Sequence, residues 1–152
     1  MGIDLEETKA ILNDVIKTLR DSQEAFRKAA ENVESSDLKF MFMDFSTQRA
    51  QFLGELQNEI ERLGDPEPRD TGSVTGSLHR GWMKLKAALS SDHDQAIITE
   101  CERGEEEVIE SYGNAMKKAM PRYIRDILER QLEQIGLERA HIRNLKQNLS
   151  HA

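Results

Sequence analysis

Residues 64–76 read GDPEPRDTGSVTG, and this stretch decides the fold. Pro66 and Pro68 are two of the three prolines in the chain, and Gly64, Gly72 and Gly76 stand among Asp, Ser and Thr, so the segment reads as a long connection. From Asp4 to Leu63 upstream there is no proline and only one glycine, Gly54. That run is too long for one globular helix, and Ser35-Ser36-Asp37 supplies N-cap residue types for a break after Val33. Downstream, Leu78, Trp82, Leu85 and Leu89 recur at helical spacing, and Ser90, Ser91 and Asp92 offer the cap of a further helix. Pro121 sits where a first-turn proline is tolerated and opens the last one. The spacing predicts helices over about 4–34, 36–63, 77–89, 92–119 and 121–149 in a single domain, residues 1–152.

Strand signals are absent, so the expected class is all-α. Four long helices with one long crossover, carrying a short fifth helix between the second and third, match a ferritin-like four-helix bundle. A simple up-down bundle has only short loops. The chain of 152 residues suits one domain with a real core. A lone cysteine, Cys101, leaves no intramolecular disulfide framework and fits a reducing, cytoplasmic setting. The start MGIDLEETKA has neither a basic region nor an apolar core of the secretory type, and no apolar run reaches the length of a membrane span. With 21 Lys and Arg against 28 Asp and Glu, the formal charge of −7 argues against nucleic acid and anionic membranes as partners.

The stretches DSQEAFRKAAENV (21–33), QRAQFLGEL (48–56), GSVTGSLHRGWMKLKAAL (72–89) and ECERGEEEVIESYGNAM (100–116) resemble a bacterial family of four-helix-bundle proteins of unassigned function within the ferritin-like superfamily. The resemblance covers nearly the whole chain, and the crossover with Trp82 is its most specific part. It implies the fold and a cytoplasmic bacterial setting, and it brings no activity with it.

Phasing each helix at about 100° per residue separates an apolar seam from polar residues that turn inward with it. The first seam is Leu5, Leu12, Val15, Leu19, Phe26, Ala29 and Val33, with Ser22 and Gln23 close to it and Asp21 and Glu24 pointing away. In the second, Leu38, Met41, Phe45, Phe52, Leu56 and Leu63 enclose Arg49, with Gln48 at the edge and Gln51 outside. Ile97, Cys101, Val108, Tyr112 and Ala115 place Glu105 inward in the third long helix. Ile124, Leu128, Ile135, Ile142, Leu145 and Leu149 take in Gln131 and Glu138 in the last, with His141 at the boundary. Counted from the turns near Ser35 and Met120, these residues share the middle third of the bundle. The expectation is one internal polar layer, Ser22, Gln23, Gln48, Arg49, Glu105, Gln131 and Glu138, between apolar ends.

A di-iron carboxylate site in such a fold takes a Glu from each of two helices and a Glu-x-x-His from each of the other two, because two hard cations need charge neutralisation and bridging oxygens. Half of that set is present: Glu105, and Glu138-Arg-Ala-His141. Ser22 and Gln23 stand where a Glu is wanted, and Gln48-Arg-Ala-Gln51 where the second Glu-x-x-His would be. Amides are poor iron ligands, and an Arg repels cations. The favoured reading is therefore no catalytic residue and no cofactor: Arg49 pairs with Glu105 or Glu138, in a bundle with a stress-related or binding role. The alternative is an iron- or manganese-binding oxidoreductase or iron-handling protein with a metal on Glu105, Glu138 and His141.

Cys101 reads as a small core residue, Trp82 as an anchor of the crossover flanked by His79 and Arg80, and His93 and His151 as solvent-facing. Phe40, Met41, Phe42, Met43 and Phe45 make the start of the second helix apolar nearly all round. One face cannot bury Phe40, Phe42 and Met43 together, so either the crossover or a homodimer must cover the remainder.

Overall fold

A computed structural model describes residues 3–64, 85–89 and 94–150, with the side chains of all but 149 and 150. All regular structure among these residues is helical: α1 (Leu5–Asn32), α2 (Ser36–Arg62), α3 (Asp94–Met116) and α4 (Arg122–Ser150), with residues 85–89 also helical. Predicted features at Leu78, His79, Arg80, Trp82, His93 and His151, and the Leu149 side chain, lie outside the described residues.

Local chemistry sets the helix ends. The Asp4 carboxylate accepts from the Glu6 and Glu7 amides at 2.9 and 3.3 Å, and the Ser35 hydroxyl accepts from the Leu38 amide at 3.4 Å, so two orphan N-termini are capped. Val33 turns extended and ends α1. Gly64 ends α2 in a left-handed conformation (φ 97°) that a side chain would strain. The carbonyl of Pro121 accepts from the Ile124 and Arg125 amides, so this proline caps α4 one position earlier than expected. Arg125 reaches back to the Met116 and Lys118 carbonyls at 2.7 and 2.9 Å and closes the turn. The third long helix ends three residues before the expected 119, where Lys117 and Lys118 make tighter bonds to the Asn114 and Ala115 carbonyls.

α1 packs on α2 and α3, α3 on α4, and α4 on α2. The direction of α3 is set by Asp94, whose carboxylate accepts from the Glu34 and Ser35 amides at 2.8 and 3.1 Å. α3 thus begins at the α1–α2 turn, the end opposite to the one where α2 finishes, and α2 and α3 run the same way. The connection between them returns the chain along roughly 40 Å, the length of a 27-residue helix.

The core falls into two clusters. One gathers Leu12, Val15, Leu19, Leu56, Ile60, Tyr112, Ile124, Leu128 and Ile135. The other, at the α1–α2 turn, gathers Phe26, Ala29, Leu38, Phe42, Ile97, Ile98, Cys101 and Ile142, with Leu85 and Ala88 of the crossover against it. The seams read from periodicity are buried or half-buried except at Leu5, the first residue of α1, which is exposed. The buried stripe of α1 is also wider than expected, taking in Thr8, Ile11, Ile16 and Thr18. The Thr8 and Thr18 hydroxyls bond to the Asp4 and Asp14 carbonyls one turn back, which lets them be buried without an unmet donor.

Candidate functional site

Between the two apolar clusters lies a buried charge group. Arg49 is 0% exposed, Glu105 1% and Glu138 5%, each from a different helix. One nitrogen holds both carboxylates: Arg49 Nη2 donates to Glu105 Oε2 at 2.6 Å and to Glu138 Oε1 at 3.2 Å. The guanidinium carbon lies 5.2 Å from the centre of the Phe26 ring, which is itself packed on Phe42 and Phe45. α1 thus contributes an aromatic face, α2 the cation, and α3 and α4 one acid each.

Arg49 Nε and Nη1 and Glu105 Oε1 are buried with no hydrogen-bond partner among the described residues. The ion pair therefore recovers only part of its desolvation cost, and breaking it costs more than forming it gains. Burial pushes both carboxyls above the ordinary carboxylate range, against the opposing pull of Arg49. Glu138 is raised to about 7, by burial and then by the neighbouring charge of Glu105, while Arg49 and a hydrogen bond from Gln48 hold it down. One guanidinium nitrogen thus faces two carboxyls, the nearer being Glu105, and burial favours the protonated form of both. Arg139, paired outward with Glu106, adds a weaker positive influence on Glu105.

Gln131 is buried as expected but does not join Arg49. Two turns away from Glu138, it accepts from the Tyr112 hydroxyl at 2.7 Å and donates to Glu55 Oε1 at 2.8 Å and the Phe52 carbonyl at 3.4 Å. The expected single layer is in fact two stacked networks. Ser22 is buried, while Gln23 and Gln48 are half-buried. Gln23 takes part through its carbonyl, which accepts from the Ser46 hydroxyl at 3.0 Å and ties α2 to α1. Sequence reasoning missed Ser46, Glu55 and the hydroxyl of Tyr112. Ser46 lies one turn before Arg49 on the same face, a signal that periodicity held. Asp21, expected to point away, is half-buried, and burial raises its carboxyl.

His141 is exposed, away from Glu105 and Glu138. Among the described residues no three His, Cys, Asp or Glu side chains are placed to hold a metal ion. Both inward carboxylates are turned to a guanidinium, a donor set that does not fit a pair of hard cations. Cys101 is buried in the cluster at the α1–α2 turn, and burial together with the nearby Glu105 pushes its thiol far up, so it stays protonated. A surface groove of about 430 Å³ runs between α1 and α3, lined in part by Ile11, Val15, Thr18 and Ser111 with Asp14, Glu107 and Glu110 at its rim. The Thr18 and Ser111 hydroxyls meet there at 3.2 Å, and this polar floor is separate from the Arg49 layer.

No helix among the described residues is long and apolar enough to cross a membrane. No curated protein matches the chain. Residues 7–118, which span α1, α2, the crossover and α3 and include Arg49 and Glu105, match a family described as a domain of unknown function, and the chain belongs to that family, DUF2383.

Proposed function

We propose that the chain is a non-catalytic bundle on the ferritin-like plan, with Arg49, Glu105 and Glu138 standing where that plan carries two metals, and that it works in the bacterial cytoplasm as a stress-related or binding module. The observation that carries this reading is the single Arg49 nitrogen placed 2.6 and 3.2 Å from the two inward carboxylates. A fixed cation there neutralises the acids that metals would bridge and repels a metal cation that approaches. The parallel run of α2 and α3 with a long return between them supports the ferritin-like plan.

The test is metal analysis of protein purified without chelator, before and after incubation with Fe(II) or Mn(II). Iron and manganese well below one ion per chain are expected in both. Stoichiometric metal that is lost on Glu105→Ala would overturn the reading in favour of a metal-dependent oxidoreductase or iron-handling protein using Glu105 and Glu138.

A further inference from the structure

The outward face of α2 is unusual for a charged, acidic protein. Opposite the buried Arg49, Phe40 is 74% exposed and Met43 48% exposed. Thr47, Ala50 and Gly54 continue the line from Phe40 and Met43 at alternating steps of three and four, the 3.5-residue repeat that two paired helices share. Thr47 is exposed and Ala50 and Gly54 are half-buried. A side chain added at Gly54 would meet nothing within 4 Å, so the lower part of the line is open to close approach.

Charge flanks this line in a self-complementary way. Lys39 stands on one side and Asp44 on the other, both exposed and neither in an ion pair among the described residues. In a parallel two-helix seam starting at Phe40, the residue just before the seam faces the residue five positions further on in the other helix. Lys39 then meets Asp44 of a second copy, and two-fold symmetry repeats the pair. An antiparallel seam brings like flanks together, Lys39 near Lys39 and Asp44 near Asp44, and is disfavoured by charge.

We propose that the outer face of α2 pairs with the same face of a second copy of this chain, the two helices parallel about a two-fold axis, with Phe40 and Met43 as apolar anchors and Lys39 and Asp44 setting the direction. The seam has only two large apolar residues per copy, so the dimer is reversible. The inference does not depend on whether the internal layer binds metal.

Sedimentation equilibrium of the full chain should show a concentration-dependent dimer. Lys39→Glu should weaken it about tenfold by setting like charges together, and adding Asp44→Lys should restore it. Met43→Cys and Ala50→Cys, made separately, should each link to the same residue of a second copy on mild oxidation, while the buried Cys101 stays unlinked. Helical content by circular dichroism should be unchanged in every variant. A monomer at the highest soluble concentration would overturn the proposal, as would a dimer indifferent to Lys39→Glu. Linking at only one of the two cysteine positions would overturn it too, since an antiparallel pair can bring at most one of them onto itself.

Discussion

Replacing Arg49 by Ala removes the cation from the core and leaves two buried acids facing one another. Glu105 makes the shorter bond to Arg49 and is 1% exposed, so it is the acid left most completely without a partner. Its cheapest relief at pH 7 is to bind a proton. For a carboxyl whose ordinary value is 4.5, that step costs at most about 3.5 kcal/mol, 2.5 pH units at about 1.4 kcal/mol each, less the part that burial already exacts in the wild type. The loss of a guanidinium packed 5.2 Å from the Phe26 ring adds to this, and the expected total is about 3–5 kcal/mol, the range for breaking one partner of a buried pair. Urea unfolding followed by circular dichroism at 222 nm (about the helical minimum) measures it. The sign with pH is diagnostic. Without the opposing pull of Arg49 the folded Glu105 binds its proton more tightly than it does in the wild type, so the penalty relative to wild type is smallest near pH 4.5 and grows as pH rises to 7. Adding Glu105→Gln should recover part of the loss by removing the charge while keeping the shape. A penalty under about 1 kcal/mol at pH 7, a penalty equal at both pH values, or no coupling in the Arg49–Glu105 cycle would refute the account of the layer.

Wild-type stability should itself depend on pH through Glu138: its folded value near 7 lies above the ordinary 4.5, so its contribution is full below 4.5 and is lost as pH rises through 7. The fall is on the order of 3 kcal/mol over that window, and Glu138→Gln should flatten it in urea titrations. Asp94→Ala should leave the Glu34 and Ser35 amides without their carboxylate, at about 1 kcal/mol, and speed hydrogen exchange at the α1–α2 turn while leaving α4 unchanged. Phe42→Ala should cost about 3–5 kcal/mol by cavity formation, against under about 0.5 kcal/mol for Phe40→Ala, three-quarters exposed, when both are measured on dilute protein. Cys101 should resist thiol reagents until the chain unfolds, because its thiol is buried and held protonated.

The amino-acid sequence by itself determined the helices, their breaks and their inward faces, because each of these is a local property. Ser35 caps α2 with its own side chain, Gly64 alone tolerates the backbone that ends it, and the 3.6-residue period carries Arg49, Glu105, Gln131 and Glu138 to the buried side along with Phe52, Val108 and Ile135. Periodicity gives a direction to within a fraction of a turn, and it says nothing of a residue's partner. That Glu105 and Glu138 converge on one nitrogen of Arg49, while Gln131 turns to Tyr112 and Glu55, was decided by which helices are neighbours and at what height they meet. The same holds at the margins: His141, one turn beyond Glu138, falls on the solvent side, and Asp21 is half-buried although its phase points away. Phase alone accounts for neither, because the width of the buried stripe is set by the neighbouring helices. A helix specifies its own axis and phase, and only packing against others specifies the distances between side chains on which charge pairing depends.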